Sequence, residues 1–407
     1  MSAHPGDSLH AGATRVPFRG RRAAAARAAS TPPRPLRRPR RPIGSAVLHA
    51  PQVLRALVRA DEIWLVVLAA FIGCGTGIAV WSMTFATQIV HEVLFGISRS
   101  QRLSAMVELA QVPTLVVPAV GGLFLGLLTL ALGRFYPRRT VDPIEANALF
   151  GGRMSLSGSL IVVLQTIVSN GVGASVGLEA GYTQIGSALA SRWGHAFRVR
   201  RTELRLLVGC GAAGAIAGAF NAPLTGAFYA FELVIGTYTL GAFAPVAVAA
   251  IVSVAVVHAI GHPPFELELQ VPSRIDGLDY IPILALGMLC ALVGIAIMRG
   301  VTLTEEMFRK SRVPVWLRPG IGGVIIGVLA LVTPAVLSSG HGALGVVIEA
   351  PYPLWWVGLL VLLKATASAV SIGSGFRGGL FFASLFLGAL VGKAFAGALF
   401  AVSTAHA

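Results

Sequence analysis

The stretch GVGASVGLEAGYTQIGSALA, residues 171–190, decides how the rest of the chain is read. It ends a run from Met154 to Ala190 in which Glu179 is the sole Asp, Glu, Lys or Arg. A carboxylate at bilayer depth costs about 2.5 kcal/mol even on lenient scales, so something must hold it. The glycines on both sides mark a break where a helix begins. A helix N-terminus carries partial positive charge and free backbone N–H groups, which suits an anion. Glycines lack a Cβ and let that anion approach the backbone. Glu179 therefore sits where an anion could bind, with Gly177, Leu178 and Ala180 supplying neighbouring amides. Protonated, it should leave. That would make one group both gate and proton carrier.

Composition sets the surroundings. Of 407 residues, 55% are hydrophobic and 12% charged, and mean hydropathy is +0.77. Soluble domains carry about 25% charged residues, so the chain reads as an all-α polytopic membrane protein. Gly at 48 residues fits helices that approach closely or break. Cys74, Cys210 and Cys290 have no metal spacing and read as small buried hydrophobes. No cofactor motif is found. No HExxH pair occurs, and Ser175 has no nearby His, so no enzyme is expected.

Residues 1–50 hold ten Arg against one Asp and are rich in Ala and Pro. They lack a core-forming pattern and are expected to be a disordered tail. They show no apolar segment with a cleavage site of secretory type. On a membrane protein such a basic arm fixes topology and touches anionic lipid rather than nucleic acid. The membrane domain is expected over 51–407. Long apolar segments run from Ile63 to about Ile89 and over Val112–Leu132. Pro143–Phe150, Ser155–Val168 and Leu178–Ser191 are short. Leu204–Phe220, Ala222–Ile235, Gly241–Ile260, Ile281–Phe308, Ile321–Leu337, Trp355–Ile372 and Leu380–Val402 complete the set. Basic loops follow the second span, the Glu179 helix and the Ile281 segment, whereas loop 262–280 is acidic. The positive-inside rule places the N-terminus in the cytoplasm, and the bias of 29 Arg to 3 Lys points to a bacterial plasma membrane. Arg99 and Arg102 depart from that pattern.

A second Gly-rich break, SIGSGFRGG, opens another apolar helix at 371–379. Two such breaks in separate halves point to an inverted-repeat transporter with its site near the midplane. The repeats are expected over about 51–262 and 277–407.

At these breaks the chain resembles the CLC family of chloride channels and chloride/proton antiporters. GLEAGYTQIG resembles the family's GREGPxxQIG, GAAGAIAGAFNAPLTGAFYAFEL at 211–233 its AFNAPL stretch, and SGFRGGLFFASLFLGALVG at 374–392 its SGxxGGIFAPxxxxGxxxG segment. The three stand in family order. The resemblance implies a bundle of tilted and broken helices, working as a homodimer with one anion path per subunit. The small-residue helices at 204–236 and 241–260 would suit the dimer face. The resemblance makes Glu179 the gate and gives Phe381, with Leu380 beside it, backbone amides for a central anion. It aligns Thr140 with a family Ser that donates a hydroxyl to the anion, against a plain turn residue. It makes Glu232 a proton-relay candidate, against a structural group at a helix end.

Several positions depart from the family. Leu178, Gly181 and Ala383 replace an Arg and two Pro, and both glycines around Thr140 are gone, with Asp142 nearby. Leu233 stands where antiporters carry a second acid. Arg377 could add positive potential to the path or reach an interface. The family continues with further helices, one contributing a Tyr hydroxyl, and nothing after Val402 supplies it. The second repeat is accordingly expected to be truncated. The expected function is chloride transport by a channel or chloride/proton antiporter. The alternatives are a fluoride-transporting relative or a transport-incompetent scaffold. The expected partners are chloride or another small anion, coupled protons and the lipid bilayer.

Overall fold

A computed structural model describes residues 62–135, 139–261, 277 and 280–405. The expected tail at 1–50 and most of the acidic loop lie outside the described residues. Those described form thirteen α-helices with short 3-10 and π turns between them. We number them α1 (Glu62–Phe95), α2 (Gln111–Phe135), α3 (Pro143–Phe150), α4 (Leu156–Gly171), α5 (Glu179–Phe197), α6 (Arg201–Phe220), α7 (Pro223–Tyr229), α8 (Leu240–Ala259), α9 (Tyr280–Lys310), α10 (Arg318–Val332), α11 (His341–Glu349), α12 (Leu354–Ser374) and α13 (Phe381–Ala405). Seven, α1, α2, α6, α8, α9, α12 and α13, are long and apolar enough to cross a membrane.

The helix ends follow from local chemistry. Asp142 caps α3 by accepting the amide of Glu145 at 2.8 Å, with Pro143 at the first helical position. The negative charge beside Thr140 is therefore a cap. α7 is shorter than the single helix expected over Ala222–Ile235. It passes into one π-helical turn over Ala230–Ile235, which ends at Gly236. The segment expected over Ile321–Leu337 also divides. α10 stops at Val332, and Pro334 begins a 3-10 turn because it has no N–H to continue the ladder. α11 was not foreseen. It has nine residues and lies between Gly340 and Pro351, too short to register as an apolar span.

α6 is the central element. Within its most apolar window 72% of residues are buried, against 6% for α9. Its small residues serve close packing inside the protomer. A Cβ on Gly186 of α5 would stand 2.5 Å from the carbonyl oxygen of Gly211 on α6. This corrects the expectation that the small face of α6 meets a second subunit. The apolar surface left open nearby belongs to α7, its π turn and α8, at Leu224, Phe228, Leu233 and Phe243.

Candidate functional site

The two Gly-rich breaks meet. The amide of Gly177 donates to the carbonyl of Gly379 at 2.8 Å, and the amide of Gly379 to Gly177 at 3.0 Å. Buried side chains fix both breaks. The Asn170 amide donates to Val176 O at 2.6 Å, and its Oδ1 accepts the Ser338 hydroxyl at 2.9 Å. The Ser175 amide donates to Ser371 Oγ at 2.9 Å, and the Arg377 amide to Ser169 Oγ at 2.9 Å. Buried polar groups need such partners, and the Ser175–Ser371 and Arg377–Ser169 bonds run from one break to the other's side.

Two helix N-termini, those of α5 and α13, converge at this junction. Their first amides have no acceptor within their own helix. Glu179, the first residue of α5, is buried and points at α13. Its Oε1 accepts the amide of Phe382 at 3.1 Å. Its Oε2 is buried and has no hydrogen-bond partner among the described residues. That oxygen lies in a cradle of two glycines. A Cβ on Gly379 would stand 2.6 Å from it, and one on Gly177 closer still.

The structure sorts the residues proposed from sequence. Glu179, Leu178, Ala180, Leu380 and Phe381 come together at the junction. The amide of Gly177 is already spent on Gly379, so its part is to leave room for the carboxylate. The amide that reaches the carboxylate is Phe382's, one residue beyond Phe381. Leu380 and Phe381 precede it at the same N-terminus. Glu232 is exposed, lines neither cavity described below, and accepts the Tyr238 hydroxyl at 3.2 Å.

Two cavities approach Glu179, one reaching Leu178 and the other Ala180. The smaller cavity, ≈ 80 Å³, lies beside the C-terminal half of α1 and is lined by Arg102, His91 and His341, with Leu178 among its walls. The larger, ≈ 610 Å³, lies by the C-terminal end of α2 and is lined by Thr140, Arg377, Thr183 and Tyr229, with Ala180 among its walls. The residues on either side of Glu179 thus face different cavities. Thr140 is placed without glycines of its own. The Gln184 side chain of α5 donates to Val141 O at 2.9 Å and holds that loop against the helix. Arg377 lines the larger cavity.

Sequence reading missed two features. Lys364 of α12 is almost wholly buried, with Nζ donating to Val336 O at 3.2 Å and Ser338 O at 2.8 Å. It is close enough to act electrostatically on Glu179. The second feature is a row of rings between the cavities. Tyr229 meets Phe381 edge-on, Phe381 lies against Phe220, Phe220 stacks on Phe382, and Phe382 stacks on His341 with centroids 3.4 Å apart.

Comparison with known proteins agrees with this arrangement. The family model described as "Voltage gated chloride channel" matches residues 136–407. A ClcB-like chloride channel protein of Ralstonia nicotianae is 30% identical over 334 residues, 81% of this chain and 77% of the relative. The voltage-gated ClC-type chloride channel ClcB of Shigella boydii is 29% identical over 329 residues, 80% of this chain and 78% of the relative. Among solved structures, a slow cyanobacterial Cl−/H+ antiporter superposes with a TM-score of 0.70 at 20% identity, over 84% of this chain and 81% of its own. A CLC-type fluoride/proton antiporter gives 0.64 at 20% identity, over 82% of this chain and 85% of its own. These structural likenesses show the fold, and with the apolar helices they make the chain a multi-pass membrane protein. The match over residues 136–407 and the extended identity to the Ralstonia protein show that the chain belongs to the voltage-gated chloride channel, or CLC, family.

Proposed function

We propose that this protein carries chloride or another small monovalent anion across the membrane along a path through the Gly177–Gly379 junction, gated by Glu179. One observation carries the reading: Leu178 and Ala180, on either side of Glu179 in the chain, line two different cavities. The carboxylate accepts the Phe382 amide at 3.1 Å, in the place that an anion held by the same helix N-terminus would take. Anion and carboxylate then compete for one set of donors. Protonation removes the negative charge that holds Glu179 there, and the side chain gives way. Leu380 and Phe381 offer amides to the anion from one side, and the Thr140 hydroxyl meets it in the larger cavity. Proton movement coupled to anion flux belongs to this reading through Glu179 itself. Glu232 is not needed for that step. The working form is a homodimer in a bacterial plasma membrane with its N-terminus in the cytoplasm, supported by the basic loops and the bacterial relatives.

The test is full-length protein in liposomes, with halide efflux and proton uptake recorded together. Wild-type protein is expected to release chloride faster as pH falls. Glu179→Gln, a neutral side chain of the same size, is expected to transport with a flat pH profile. A steep profile surviving in Glu179→Gln would remove Glu179 from the gate. If neither chloride nor fluoride leaves the vesicles, the chain is not a transporter.

A further inference from the structure

The smaller cavity carries more chemistry than a passage needs. Its lining includes Arg102, His91, His341 and several hydroxyl and amide groups, and no Asp or Glu. Arg102 is half-buried and pairs with no carboxylate among the described residues. Its neighbour Arg99 behaves differently and pairs with Glu92. A partly desolvated guanidinium without a counter-charge is costly, and it favours an anion from solution. The surrounding groups are held in place. His91 Nε2 meets Asn170 O at 3.0 Å, His341 Nδ1 meets the Ser339 hydroxyl, and the His341 ring lies flat on Phe382.

We propose that this cavity is a separate binding site for a small monovalent anion, with Arg102 as its principal ligand and His341 as the wall toward Glu179. Size and charge define the ligand class. The cavity is small, at about 80 Å³, and suits a halide-sized ion with its remaining water. One guanidinium matches one negative charge. Phe382 joins the two sites, because its ring carries His341 and its amide holds the Glu179 carboxylate. An anion waiting at Arg102 is thus one step from the donors that Glu179 occupies. The proposal rests on the anion-path reading for its purpose, but binding at Arg102 can be measured without transport.

Trp81 lines the same cavity and gives the readout. Sodium iodide is titrated into the detergent-purified full-length chain while tryptophan fluorescence is followed at constant ionic strength. A saturable quenching component is expected, absent in Trp81→Phe. Arg102→Gln is expected to weaken it about tenfold or more, the effect of losing one charge-assisted contact. Purely linear quenching in the wild type overturns the site. So does an unchanged saturable component in a folded Arg102→Gln. If Arg102→Gln fails to fold, Arg102→Lys and His341→Asn are titrated instead, and unaltered affinity in both overturns it. Saturable binding at Arg102 with no halide flux from liposomes leaves this site standing and removes the transport reading. Flux without saturable binding does the reverse.

Discussion

Glu179 has one oxygen bonded to the Phe382 amide and one enclosed by the Cα atoms of Gly177 and Gly379. The bonded oxygen holds the side chain in place. The enclosed one gains nothing and leaves the carboxylate poorly satisfied. The balance is sensitive to space. Gly379→Ala would put a methyl 2.6 Å from Oε2 and push the carboxylate out of its cradle. Its expected outcome is flux that no longer falls at neutral pH, with folding stability lowered by about 1–3 kcal/mol. Stopped-flow efflux against pH and a thermal melt check the two parts. An unchanged profile would mean that the cradle does not hold the gate. Thr140→Val keeps the shape of the larger cavity and removes its hydroxyl. The expected result is weaker apparent chloride affinity in the efflux assay, restored by Thr140→Ser. Equal affinity in all three proteins would make Thr140 a turn residue. At this scale the sequence was legible where one charge stood in an apolar run, as for Glu179. The same rule applied to Lys364 in LLVLLKATASAV, but that residue lies outside both glycine breaks, and no glycine pattern marks it.

At the scale of elements, two helix N-termini are held together by buried polar side chains as well as by apolar packing. Asn170 ties α4 to Val176 and to Ser338, and Ser371 ties α12 to Ser175. Each bond is buried, so losing one partner strands the other. Asn170→Ala removes two such bonds at once. The expected cost is about 2–5 kcal/mol, read as a lower thermal midpoint in detergent. Ser157→Ala, near the exposed end of α4, should leave the midpoint close to wild type. A silent Asn170→Ala would mean that apolar contacts alone keep the breaks aligned. The breaks themselves were readable, since glycine patterns are local. Their pairing was not, because Ser175 and Ser371 are 196 residues apart and neither has a spacing that names the other. The smaller cavity was hidden for the same reason. His341 comes from a segment more than 200 residues after His91 and Arg102, and Arg102 looked from its loop like an exception to the charge rule.

At the scale of the molecule, the remaining matter is which surface meets a second subunit. α6 is excluded, because its small residues are used against α5 and its apolar window is mostly buried. Sequence could not have revealed this. Small residues mark close approach to some helix, but not whether that helix belongs to the same chain. Open apolar faces remain on several helices, α2 among them at Val116, Val120 and Phe124. One runs along α7, its π turn and α8, through Leu224, Leu233 and Phe243. Another is α9, open at Leu292 and Ile295. The resemblance implies a dimer face on the helices at 204–236 and 241–260, and with α6 excluded the remainder of those segments selects the face along α7 and α8. A two-fold interface brings a residue near its axis against its own copy. In a background with Cys74, Cys210 and Cys290 changed to Ser, Leu233→Cys is expected to give a covalent dimer on mild oxidation in liposomes. Leu292→Cys on α9 is the control and should remain monomeric on a denaturing gel. The reverse pattern would move the interface to α9. Absence of both bands, with a single-subunit mass by light scattering, would mean that each chain carries its path alone.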